Sequence, residues 1–174
     1  MAEPDAGCRL RIVGIGSPFG ADRLGWDVID MAGSGPLPDG VEAVRCANPL
    51  SELPALMRGV ESVFLVDALA GVPPGTVVRC TRAELRDRDA TLSSHGLSVD
   101  LALDLAEALG ELPRSLRIFG LGIGVEPEAD ADQALAAVLP HYAAALHAAI
   151  RSELHDAAQR PRPRGAEGNG EVMA

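Results

Sequence analysis

Residues 62–71, SVFLVDALAG, form an unbroken apolar run interrupted only by one carboxylate, Asp67. A strand that is apolar on both faces needs cover above and below, which a parallel sheet with helices on both sides provides. The rest of the chain alternates in the way such a sheet requires. RLRIVGIG (9–16), VEAVRCA (41–47), the end of PPGTVVRCT (73–81) and SLRIFGLGIG (115–124) read as strands. RLGWDVIDMA (23–32) places Leu24, Val28, Met31 and Ala32 at the spacing of one buried helical face. SELPALMRG (51–59) offers Ser51 as an N-cap, Pro54 in the first turn and Gly59 as a stop. SSHGLSVDLALDLAEALG (93–110) puts Leu97, Leu101, Leu105 and Ala108 on an apolar face, widened by Val99 and Leu103. ADQALAAVLPHYAAALHAAIRSEL (131–154) predicts one long helix that Pro140 should kink. Alternating strands and helices predict an α/β fold, a three-layer α/β/α sandwich around a mostly parallel twisted sheet. Residues 1–8 read as a loose leader, 9–155 as a single domain, and 156–174 as a disordered tail with nothing to bury.

Composition removes several function classes. The net charge is −10 and aromatics are 3% of the chain, so neither phosphate backbones nor stacked bases find a partner surface. There is no lysine, which removes Schiff-base chemistry and the P-loop lysine. Cys8, Cys46 and Cys80 are scattered without paired spacing, so they read as free thiols of a reducing compartment. No apolar run reaches the ~20 residues that span a bilayer. A cytoplasmic monomer is the expectation.

Ligands of such sheets bind beyond the carboxyl ends of the strands. Three features fall there: the loop GIGSPFGADRLGW (14–26), Asp67, and the segment around His95. The loop lacks the third glycine of a dinucleotide fingerprint, since Phe19 stands at that position, and the second strand ends in Cys46-Ala47 rather than an acid. No GxSxG elbow is present, and nothing local activates Cys46. His141, His147 and His155 read as surface or packing residues of the last helix. Asp67 is different, because a buried carboxylate must be paired, hydrogen-bonded or bound to a metal. It either caps a neighbouring loop or converges with His95 and the acid of the first loop on a divalent transition metal, for which imidazole and carboxylate are suitable donors.

IVGIGSPFGADRLG, VFLVDALAGVPPGTV and SSHGLSVDLALDLAEALG, in that order, together with IFGLGIGVEP and the long last helix, resemble the hydrogenase maturation endopeptidases. The resemblance covers residues 9–150. It implies an α/β sandwich and a metal-dependent, aspartic-type endopeptidase. Its substrate would be the precursor of a nickel–iron hydrogenase large subunit, whose C-terminal extension is cut once nickel is in place. The nickel is carried by the substrate or bound transiently, and no organic cofactor, nucleic acid or membrane is implied. Asp67 and His95 carry over as metal contacts. The family's third contact is the second of two consecutive acids in the first loop, and here that pair is Asp22-Arg23. Arginine has no lone pair to give a metal. Asp22 then serves as the third oxygen ligand, or Arg23 clamps a carboxylate or carbonyl of the substrate tail, or the site has lost metal affinity and the protein binds the precursor without cutting it. The favoured combination makes Asp22, Asp67 and His95 the catalytic and metal-contacting set, with Arg23 and Ser94 as substrate contacts. A small-molecule hydrolase on a similar sheet is the remaining alternative.

Overall fold

The computed structural model describes residues 8–84, 94–124 and 131–160, without the side chains of 94–98 and 131–132. The leader before residue 8, the charged segment after 84 and the chain after 160 lie outside the described residues. Five strands form one sheet: β1 (Leu10–Ile15), β2 (Val41–Cys46), β3 (Ser62–Ala70), β4 (Val77–Cys80) and β5 (Ser115–Gly124), in the order β2-β1-β3-β5-β4. All neighbours are parallel except β4, which runs antiparallel on the edge beside β5. The helices are α1 (Leu24–Ala32), α2 (Pro49–Met57), α3 (Ser94–Ala108) and α4 (Ala131–Gln159), and a 3-10 turn, Gly20–Arg23, leads into α1.

The two faces of β1 and β3 bury different residues, as the pleat dictates. Leu10, Ile12, Phe64 and Val66 pack under α1 and α4, against Val28, Ile29, Tyr142, Leu146 and Ile150. Val13, Ile15, Val63 and Leu65 pack under α2 and α3, against Leu53, Met57, Val99 and Leu103. Both faces of the sheet are therefore covered, and the three-layer α/β/α sandwich expected from the apolar run is the observed architecture.

Several elements differ in detail from the sequence reading. Helix α2 starts at Pro49, two residues before Ser51, because proline suits the first helical position and the Glu52 carboxylate accepts the Asn48 N–H at 2.8 Å. On α3 the buried set is Val99, Ala102, Leu103 and Ala106, while Leu101 and Leu105 remain 45% and 42% exposed. The helix is apolar over more than half its circumference, and periodicity alone selects the wrong stripe. Helix α4 passes through Pro140 without interruption, with that residue on the exposed side. It also continues past Leu154 to Gln159, where the Asp156 carboxylate meets Arg117 at 3.2 Å and Arg160 reaches back to Glu153 at 2.9 Å. By length and composition α4 could cross a membrane. In the fold its apolar stripe is spent on the sheet, through Leu135, Tyr142, Leu146 and Ile150.

Buried Glu153 binds the opposite, amino-terminal end of the strands together. It accepts the Ser62 hydroxyl at 2.7 Å and pairs with Arg117 at 2.5 Å and Arg160 at 2.9 Å. Tyr142 does similar work nearer the other end: its hydroxyl donates to the Gly122 carbonyl at 2.7 Å and accepts the Gly75 N–H at 2.6 Å.

Candidate active site at the carboxyl edge of the sheet

The connections place a crevice between β1 and β3. From β1 the chain passes through α1 on one face to β2. It then returns through α2 on the other face to β3, on the far side of β1. At the carboxyl ends of β1 and β3 the chain therefore leaves in opposite senses, and the gap left between them is where doubly wound sheets bind ligands.

The glycine-rich loop closes one side of this gap. A Cβ on Gly16 would lie 2.2 Å from the Asp22 carbonyl oxygen, and one on Gly25 would lie 2.2 Å from the Ile15 oxygen and 2.8 Å from the Val66 oxygen. Both contacts are backbone, so neither can yield. These glycines let the start of α1 lie directly on the ends of β1 and β3, which is a packing role and not a phosphate cradle. The loop is fastened further by Gly16 N–H to the Cys46 carbonyl at 3.1 Å and Ser17 N–H to the Asp22 carbonyl at 3.2 Å. Asp22 thus holds the turn through its backbone, and its side chain is exposed.

Asp67 stands one residue beyond Val66, the last β3 residue paired to β1, and opposite Gly120 of β5. Its side chain is half-buried, and its Oδ1 accepts the Ala68 N–H at 2.8 Å. By alternation it shares a face with Val63 and Leu65, the face covered by α2 and α3. Its neighbourhood there includes Cys46 and Glu52. Burial, then the Glu52 charge, with Asp67 adding to it, push the Cys46 thiol up to about 12. Cys46 is therefore a neutral thiol at neutral pH, and a cysteine nucleophile has no basis at this position.

Ser94 and His95 open the first turn of α3. Later residues of the helix, Val99, Leu103 and Ala106, pack on the face of the sheet that Asp67 shares. The side chains of Ser94 and His95 lie outside the described residues. Among the described residues no three His, Cys, Asp or Glu side chains form a metal-binding group.

Arg23 does not turn to Asp22. Its Nε donates to Asp27 Oδ1 at 2.9 Å, one helical turn on, with 58% and 31% of the two side chains exposed. The i,i+4 spacing of Arg23 and Asp27 is a signal that the sequence carries and that pairing rules could have read. Arg23 and Asp27 line a cleft of about 230 Å³ between the loop and α4, on the α1 side of the sheet. Neither Asp22 nor Asp67 lines it, and no spacing in the sequence announced it.

No family model matches the chain, and no curated protein sequence does. Solved structures do. The fold superposes on the hydrogenase maturating endopeptidase HybD from E. coli with a TM-score of 0.66 at 22% identity, over 83% of this chain and 93% of that one. A solution structure of an endopeptidase from Escherichia coli gives 0.68 at 21% identity, over the same shares of each chain, 83% and 93%. The [NiFe] hydrogenase maturation protease HybD from Thermococcus kodakarensis gives 0.55 at 19% identity, over 76% and 95%. The chain has the fold of the hydrogenase maturation endopeptidases across nearly their whole length.

Proposed function

We propose that this protein is an endopeptidase that removes the C-terminal extension of a nickel–iron hydrogenase large-subunit precursor. The observation that supports this most directly is the fold shared with maturation endopeptidases. In it Asp67 stands just beyond the end of the β1–β3 pairing, and on this reading the His95 turn and Asp22 join it there.

The donor set fits a metal that arrives with the substrate. A carboxylate and an imidazole suit nickel, and Arg23 occupies the position where a third acid would complete a resident site. Two or three protein donors leave the rest of the coordination to the precursor itself, so the protein reads whether nickel is present without holding it. Bound nickel supplies Lewis acidity beside the bond to be cut.

The chain's own residues supply the remaining chemistry. Asp67, whose Oδ1 accepts the Ala68 N–H, can take a proton from an attacking water or contact the metal. The rigid loop, locked by Gly16 and Gly25, holds Asp22 at the rim of the crevice. The same loop keeps the substrate chain on the carboxyl side of β1. Asp22 is the oxygen donor available in place of the missing acid, and Arg23 faces the substrate polypeptide.

The test is to incubate the purified protein with large-subunit precursor, with and without nickel, and to follow the intact mass. A single loss of a C-terminal peptide from the nickel-loaded form alone is the expected result. Stable complex formation with no loss of mass would instead favour the reading in which Arg23 marks a precursor-binding protein that does not cut.

A further inference from the structure

We propose that the cleft between the glycine-rich loop and α4 is a subsite for an apolar side chain of an extended, uncharged stretch of the substrate polypeptide flanking the cut bond. The proposal rests on the endopeptidase reading for the identity of that polypeptide, and on the cleft's own chemistry for the rest.

The cleft's apolar walls are Pro18, Ala21 and Leu24 on one side and Leu135, Ala136 and Leu139 on the other. Its volume, about 230 Å³, lies below the ~300–1,000 Å³ of pockets that enclose small molecules and cofactors. It is the size of one or two aliphatic side chains. An apolar side chain presented by a longer chain outside is therefore the occupant that fits.

The polar groups on the cleft wall indicate what that chain is. Arg23 and Asp27 are both lining residues, and together they are neutral. A neutral pair gives no net attraction to a phosphate or a free carboxylate. Their mutual bond uses Nε of the guanidinium and Oδ1 of the carboxylate. The fork retains its terminal N–H donors and the carboxylate its second oxygen, a donor and an acceptor side by side. A peptide group, with one C=O and one N–H, is the complement. An exposed ion pair of this kind adds little to stability, so its value at a cleft wall lies in what it presents.

Phe19, next to cleft residue Pro18 in the same loop, is 78% exposed, and an exposed aromatic is of the type enriched in protein interfaces.

The experiment uses a fluorescein-labelled ten-residue peptide spanning the processing junction of the precursor, with binding read by anisotropy on the full-length protein. Ala136 is exposed, so Ala136→Phe fills the cleft without disturbing the core. The expected result is at least a tenfold loss of affinity in Ala136→Phe. A peptide whose apolar junction residue is replaced by aspartate should lose as much against the wild-type protein, which needs no protein variant at all. Binding within twofold of wild type in Ala136→Phe would overturn the proposal. If wild type and Ala136→Phe cut nickel-loaded precursor with the same KM, the cleft proposal fails while the endopeptidase reading stands. If the wild type cuts nothing yet binds the peptide in an Ala136-sensitive manner, the endopeptidase reading fails while the cleft stands.

Discussion

Gly25 and Asp67 illustrate how single residues set this site. Gly25 is the point at which α1 touches both β1 and β3, and an added methyl group there would meet the Ile15 and Val66 carbonyl oxygens at 2.2 and 2.8 Å. Overpacking against backbone costs ~1–3 kcal/mol or more. Gly25→Ala should therefore lower stability by at least ~2 kcal/mol in urea denaturation, and a wild-type midpoint would show that α1 can slide. Asp67 is half-buried and accepts the next residue's N–H. Asp67→Asn keeps that acceptor but removes the charge, and should slow precursor cleavage by about 100-fold or more, the usual scale for a lost acid–base group. The carboxylate was legible because one charge closing an apolar strand must be satisfied by a loop, a partner or a metal. The role of the loop glycines was not. A glycine needed for close helix–strand contact reads the same in sequence as one needed to cradle a ligand, and only the partner atoms distinguish them.

At the scale of elements, α3 and the Glu153 cluster show where sequence periodicity stops. Leu97, Leu101 and Leu105 form as good an apolar stripe as Val99, Leu103 and Ala106. What decides is which side of the helix the connections turn toward β3 and β5, and this is a non-local fact. Leu103 is fully buried, so Leu103→Ala should cost ~2–5 kcal/mol. Leu105→Glu, on the 42%-exposed side, should stay within ~0.5 kcal/mol of wild type. Equal losses in chemical denaturation would mean that the stripe is covered in solution. The Glu153 cluster was invisible in sequence because its members, Ser62, Arg117, Glu153 and Arg160, come from three separate segments. Burial pushes the Glu153 carboxyl up, but hydrogen bonds from Ser62, Ser115 and Arg160 and the charge of Arg117 together bring it below its ordinary value of 4.5. A carboxyl held low in the folded state stabilises the fold above its unfolded pKa, and that contribution is lost as pH falls from about 4.5 through the folded value. Glu153→Gln should cost ~3–5 kcal/mol at neutral pH, because Arg117 loses its buried partner. It should also flatten the fall in the thermal midpoint below pH 4.5.

For the whole molecule, architecture was readable before the site was. Four of the five strands run parallel to one another, with both sheet faces covered. That much follows from the apolar runs at 62–66 and 118–124, which need cover on both faces. The strand order is what converts this layered scaffold into a site. It puts β1 beside β3 and opens the crevice at their carboxyl ends, where Asp67 stands. On the proposed reading Asp67 and His95, 28 positions apart in the chain, act there as one unit. A double-mutant cycle on cleavage of nickel-loaded precursor measures this directly, with Asp67→Asn, His95→Gln and the double variant compared by initial rate. Groups that work as a unit lose nearly everything when either is removed, so the double variant should be no slower than the worse single one. Losses that multiply across the cycle, or a wild-type rate in either single variant, would contradict the account.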